Sequence, residues 1–99
     1  YQAEMLELRI LRQDLKREVR KVWFDRQRRA LEIRQLELER AGTKLTEEKV
    51  KVKLAVRDAS ADELEQARLS TSRIETQVLE KQLDIRDLED QLLALVGEL

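Results

Sequence analysis

The sequence predicts an all-α protein, a long-helix coiled coil, and three observations lead to this prediction. Of the 99 residues, 41% are charged and only 3% are aromatic, which is typical of coiled coils and long helices. The chain contains no Pro and two Gly residues, so little in it interrupts a helix. A further 41% of the residues are hydrophobic and recur in steps of three and four, a pattern that a disordered chain lacks.

The C-terminal part of the chain carries the most regular heptad repeat. The alternating steps continue for five heptads, more than the three or four that indicate a coiled coil. We expect Lys81, the one charged member, to lay its methylene groups along the seam and to specify register. The members of this helix-packing seam are Leu64, Ala67, Thr71, Ile74, Val78, Lys81, Ile85, Leu88, Leu92, Leu95 and Leu99.

Two further apolar series precede this seam. A middle series recurs every seven residues and passes Gly42 without a change of phase, so we predict that Gly42 lies inside a helix. The first series has mixed spacing, closer to an eleven-residue repeat. The middle series, predicted to pack in the seam, is Phe24, Leu31, Leu38, Leu45, Val52 and Ala59. The first series is Leu8, Leu11, Leu15, Val19 and Val22.

A helix-start signal interrupts the periodicity between the middle and last series. Ser60 followed by Glu63 forms a capping box, in which each residue satisfies a backbone amide of the other. This signal predicts helix 1 at about 2–57, a turn at 58–61 and helix 2 at about 61–97. Since no Gly or Pro enforces a turn there, one continuous helix in a homodimer, with a local shift of phase, explains the same pattern.

Charge and register favour antiparallel pairing. Residues 19–34 carry a net charge of +4 and residues 84–99 a net charge of −4, and a fold-back brings them together. With the turn centred between residues 59 and 60, facing residues have numbers that add up to 119, which pairs Leu31 with Leu88 and Leu38 with Lys81. The C-terminal end of helix 2 then lies level with about residue 20 of helix 1, so helix 2 does not cover the first series. We therefore predict that the first series is a stripe that binds a partner.

The residue types that common enzyme and metal sites use are missing. The chain has no His and no Cys, so we expect no enzyme activity, no cofactor and no metal site. The net charge is −1 and the apolar runs are short, so we expect neither nucleic-acid binding nor a membrane span. The lack of Cys favours a reducing, cytoplasmic location, and a first residue other than Met indicates a single segment of a larger protein.

Two stretches resemble a known family. Residues 36–45, LELERAGTKL, and residues 64–83, LEQARLSTSRIETQVLEKQL, are similar to the antiparallel coiled-coil finger of Rho-GTPase effectors of the protein kinase N and rhophilin type. The resemblance covers about half of the chain. It implies a helical hairpin that binds a small GTPase.

Two functions therefore follow as expectations. The first is a structural coiled-coil segment through which a larger cytoskeletal, motor or scaffold protein forms a homodimer or binds another helical protein. The second is a helical-hairpin module that binds a small GTPase or another protein partner.

Overall fold

The chain folds into two long helices that pack against each other in antiparallel orientation. The computed structural model describes residues 2–98, so the predicted seam position Leu99 lies outside the described residues. Helix α1 spans Gln2–Ala55 and helix α2 spans Ala61–Glu98. The molecule measures 83 × 14 × 14 Å, and a helix of 54 residues is about 81 Å long. The all-α fold class is confirmed, and the chain is a hairpin and not one continuous helix.

Helix α1 continues through the glycine in its middle. Gly42 is helical, and the hydroxyls of the threonines that follow donate to carbonyl oxygens of the same helix. Thr43 Oγ1 donates to the Arg40 carbonyl at 2.9 Å, and Thr46 Oγ1 donates to the Gly42 carbonyl at 3.1 Å. Threonine side chains satisfied in this way do not compete with the backbone for a turn.

The turn between the helices combines a C-terminal cap with an N-terminal cap. The amide of Asp58 donates to the carbonyl of Lys53 at 2.7 Å, and the amide of Arg57 donates to the carbonyl of Leu54 at 3.0 Å. These two bonds are those of the Schellman motif, which requires a left-handed residue after the helix. Arg57 is that residue, with a φ of 59°.

Helix α2 begins at the predicted Ser60 cap, with one of the two hydrogen bonds of the predicted capping box. The amide of Glu63 donates to Ser60 Oγ at 3.2 Å, which satisfies one of the unpaired amides of the first turn. Asp62 and Glu63 place negative charge beside the positive end of the helix. Helix α1 thus ends two residues earlier than predicted, and α2 begins where expected.

Ion pairs between the helices fix the register. Arg26 pairs with Glu89 at 2.9 Å, and Arg40 pairs with Glu75 at 3.1 Å, so the numbers of facing residues add up to about 115. Lys81 Nζ lies 3.0 Å from Glu32 Oε2, whereas the predicted register placed Lys81 opposite Leu38. The predicted sum of 119 is therefore wrong, because α1 ends earlier and α2 reaches about four residues further towards the N-terminus.

The α2 seam lies where the heptads place it. Its residues from Leu64 to Leu95 are half-buried against α1, except Thr71, which is buried with 5% of its surface exposed. Thr71 Oγ1 donates to Glu47 Oε2 at 3.1 Å and shares its proton with the Ala67 carbonyl at 3.3 Å. A hydroxyl can be buried at this position because both partners lie within reach.

The α1 seam differs from the predicted one. Phe24, Leu31, Leu38, Leu45 and Val52 do not pack against α2; each has 58–75% of its surface exposed. A different series, which includes three arginines and a glutamate, faces α2 instead. Its members are Leu15, Val19, Val22, Arg26, Arg29, Ile33, Leu36, Arg40, Thr43, Glu47, Val50 and Leu54. These charged residues occupy seam positions because α2 supplies partners for them and because their methylene stems cover apolar surface.

A pair of helices buries few residues completely. Val22 is the one hydrophobic residue among 2–98 that is buried, at 6% exposed. The chain of 11.7 kDa exposes 8270 Å², whereas a globular protein of this mass exposes about 5,900 Å². The hairpin therefore leaves much more surface in water than a compact domain does.

Candidate interaction surface

An apolar ridge runs along the side of α1 that faces away from α2. We call Phe24, Leu31, Leu38, Leu45 and Val52 the α1 ridge. Its members recur every seven residues, and each follows a seam residue by five positions. In a heptad this is position f, diametrically opposite the seam and usually the most polar position of a coiled coil. Five successive apolar residues there indicate a second packing surface.

The N-terminal half of the α1 ridge has a basic rim. Five cationic side chains lie near Phe24 and Leu31, four of them within about one helical turn and Arg17 about two turns before Phe24. Two of them have a carboxylate on their own helix: Arg17 lies 4.0 Å from Asp14, and Arg28 lies 3.4 Å from Asp25. The other three form no ion pair with any residue from 2 to 98. The rim consists of Arg17, Arg20, Lys21, Arg28 and Arg34.

Two aromatic side chains lie at the basic end of the ridge. The ring centroids of Trp23 and Phe24 are 5.1 Å apart with an interplanar angle of 76°, an edge-to-face arrangement. Both rings are about half exposed. Aromatic anchors beside arginines are the residue types that dominate protein interfaces.

Small residues flank the middle of the ridge. Ala41 and Gly42 lie between Leu38 and Leu45 on the helix surface. A Cβ atom added to Gly42 would have no other atom within 4 Å, so the space beside it is open. Small side chains at this place allow a partner backbone to approach closely.

A second apolar surface lies on the outer side of α2. Leu69, Leu79, Leu83 and Leu93 are 51–73% exposed, and they belong to a series that alternates in steps of three and four. We call this series the α2 stripe. Its members are Leu69, Ser72, Thr76, Leu79, Leu83, Arg86, Asp90 and Leu93.

The predicted partner stripe at the N-terminus divides into two parts. Val22 is buried, and Leu15 and Val19 are half-buried in the seam with α2, which corrects the expectation that α2 leaves them uncovered. Leu8 and Leu11 extend beyond the end of α2 and are 58% and 59% exposed. The longer reach of α2 follows from the corrected register.

One polar cluster links the helices at the level of Glu32. Its carboxylate accepts hydrogen bonds from Arg29 Nη1 and lies 3.0 Å from Lys81 Nζ. The bond from Lys81 and then that from Arg29 hold the pKa of Glu32 below its ordinary value, against a smaller opposing effect of burial. Arg29 also lies 3.8 Å from Asp84 on α2. The cluster stabilises the register and leaves no side chain poised for chemistry.

Metal-binding clusters and membrane-spanning helices are not found among the described residues. No group of three or more carboxylates among residues 2–98 is arranged to hold a metal ion. Neither described helix has an apolar stretch that is long enough for a membrane crossing. The grooves between the helices are open and lined largely by charged and amide side chains, such as Glu32, Gln35 and Gln77.

The chain matches no protein-family model, no curated protein and no solved structure.

Proposed function

We propose that this chain is an association module, a helical hairpin that joins larger structural or scaffold proteins by packing its outer surface against a further helix. The observation that carries the proposal is the α1 ridge. Its five apolar residues occupy the position opposite the internal seam, where a hairpin that acts alone would carry polar residues.

A second copy of the chain is the partner that the proposal names first. The hairpin exposes about 2,400 Å² more than a globular protein of its mass, and specific interfaces bury about 1,200–2,000 Å² in total. Shared between two copies, such an interface removes about 600–1,000 Å² per chain, a quarter to two fifths of the excess. The predicted binding of a small GTPase stays a prediction, because no comparison links the chain to that family.

The experiment is sedimentation equilibrium of the 99-residue chain from about 1 µM to 1 mM, the range in which modest interfaces associate. We expect the mean mass to rise above 11.7 kDa with concentration, while the helical circular dichroism stays constant. Leu38→Gln is expected to weaken this association, since Leu38 is the most exposed member of the ridge at 75%. Gln is nearly as good a helix former as Leu, so the hairpin itself is retained.

The matched control is Leu6→Gln. Leu6 is also an exposed leucine of α1, at 61%, but it lies outside the ridge. Equal weakening by both substitutions would mean that association follows general hydrophobicity and not the ridge. A wild-type chain that stays a folded monomer at every concentration would overturn the proposal of self-association.

A further inference from the structure

The two outer apolar surfaces lie on opposite sides of the hairpin. The α1 ridge faces away from α2, and the α2 stripe faces away from α1. A closed twofold dimer uses the same patch on both copies. Such a dimer could therefore bury either the ridge or the stripe, but not both.

The ridge and the stripe are in register with each other. Facing residues within the hairpin have numbers that add up to 113–115, as the ion pairs Arg29–Asp84 and Arg26–Glu89 show. A copy shifted sideways without rotation keeps this register, so α1 of one copy runs antiparallel to α2 of the next. The residues that then come level are Leu31 with Leu83, Leu38 with Thr76, and Leu45 with Leu69.

Charge favours the same arrangement. At the basic end of the ridge, Arg34 comes level with Glu80 of the next copy, and Phe24, among the rim cations, comes level with Asp90. Arg28 comes level with both Arg86 and Asp87, whose charges cancel. At the other end, Glu48 and Lys49 share the level of Glu65, so their effects largely cancel. The acidic charge at this end of the α2 stripe therefore favours packing of the ridge against the stripe over packing against a second ridge.

Pairing of two α1 ridges lacks this complementarity. In the parallel arrangement the two basic rims face each other, which is repulsive. In the antiparallel arrangement the rim faces the other half of the ridge, whose flanking charges are Glu48 and Lys49 and sum to zero. Only the α2 stripe offers the rim an acidic surface within the hairpin's described residues.

We propose that copies of this hairpin associate side by side, with the α1 ridge of one copy packed antiparallel against the α2 stripe of the next. This inference rests on the proposed function and specifies its interface. Because the contact joins two different surfaces, each complex keeps one free ridge and one free stripe and can add further copies. The module would then build linear arrays in preference to closed dimers.

Two complementary variants test this arrangement. The ridge variant carries Leu31→Gln, Leu38→Gln and Leu45→Gln; the stripe variant carries Leu69→Gln, Leu79→Gln and Leu83→Gln. All six leucines are exposed within the hairpin, so each variant is expected to fold, as circular dichroism would verify. Each variant keeps the surface that the other has lost.

We expect each variant alone to be monomeric at concentrations where the wild type associates. An equimolar mixture is expected to form a complex of twice the 11.7 kDa chain mass that does not grow at higher concentration. Adding Arg34→Glu to the stripe variant is expected to weaken this complex by about tenfold, and Glu80→Arg in the ridge variant is expected to restore it.

The possible outcomes separate the two proposals. If the wild type associates and the stripe variant associates equally well, the ridge pairs with itself and the side-by-side arrangement is wrong, although the proposed function stands. Association of the ridge variant alone would point to stripe–stripe pairing and would likewise overturn the arrangement. A monomeric wild type would remove the side-by-side arrangement together with the proposal of self-association.

Discussion

Replacing Arg57 with glycine distinguishes a hairpin from a continuous helix by the sign of its effect on stability. Arg57 adopts a φ of 59° in the Schellman motif that ends α1, a conformation that costs a residue with a Cβ atom about 1–2 kcal/mol. Glycine adopts it without this cost. In a continuous helix the same position would have a negative φ, and glycine would be unfavourable there.

The expected magnitude is the difference between two terms. Arg57→Gly relieves about 1–2 kcal/mol of backbone strain and adds about 0.5–1 kcal/mol of chain entropy to the unfolded state. The free energy of unfolding should therefore rise by about 0.5–1 kcal/mol, which corresponds to roughly 2–8 °C in the midpoint of thermal unfolding. In a continuous helix, glycine would instead lower the stability by about 1 kcal/mol relative to alanine.

The assay is thermal and urea unfolding followed by circular dichroism at a low micromolar concentration, so that folding of the monomer is measured. Arg57→Ala is the matched control, because it removes the arginine side chain and keeps the Cβ atom that causes the strain. The account predicts the stability order Gly above Ala. The opposite order, with alanine more stable than glycine, would refute the turn at residue 57 and the fold that depends on it.

Three further predictions concern the cap, the seam and the polar cluster. Ser60→Ala should lower the free energy of unfolding by about 1 kcal/mol in urea titrations, because the Glu63 amide loses its acceptor. Val22→Ala should lower the free energy of unfolding by about 1.5 kcal/mol, whereas Phe24→Ala should change it by less than about 0.5 kcal/mol in the dilute monomer, because Val22 is buried and Phe24 is exposed. A larger effect of Phe24→Ala would mean that Phe24, and not Val22, packs against α2. Glu32 has a lowered pKa in the folded state, so the unfolded state binds more protons between the two pKa values. The ionised Glu32 carboxylate therefore stabilises the fold at a pH above its ordinary pKa of 4.5. This stabilisation is lost as the pH falls through the lowered pKa of the folded state. Unfolding measured between about pH 3 and 6 should be less pH-dependent in Glu32→Gln, and added salt should reduce the difference.

The sequence predicts the helices and the cap well because these depend on local chemistry. The hydroxyl of Ser60 caps the amide that lies three residues further along the chain. The series of α2 from Leu64 to Leu95 specifies one face because the other series of α2, the stripe, contains more polar residues. Gly42 lies inside α1 because the residues on both sides of it are helical and supply hydrogen bonds of their own. None of these features depends on the distant part of the chain.

The α1 seam could not be predicted in the same way, since α1 carries two stripes and the less apolar one faces α2. Arg26 and Arg40 are seam residues only because Glu89 and Glu75 lie opposite them, which a reading of α1 by itself does not reveal. Heptad regularity therefore predicts the series from Phe24 to Val52 in the seam, whereas this series lies outside it. The series that the repeat assigns to the seam is the exposed α1 ridge.

The exact turn was equally inaccessible to local rules. A Schellman motif usually has Gly or Asn at the left-handed position, and this chain has Arg57 there. A difference of a few residues in the turn changes the register and therefore rotates the face of α1 that meets α2. The register is settled by the ion pairs between the helices, which are long-range contacts.

The distance between Gln35 and Gln77 tests the hairpin most directly. Both side chains are exposed and line the same groove between the helices, and the sequence has no Cys, so two introduced cysteines can carry spin labels without further changes. Because packed helices lie about 8–10 Å apart, pulsed electron resonance should give a label separation below about 20 Å. An excess of unlabelled chains should leave that separation unchanged. A separation of about 63 Å, the length of the intervening 42 residues as one helix, or a short distance that disappears on such dilution, would contradict the fold-back within one chain.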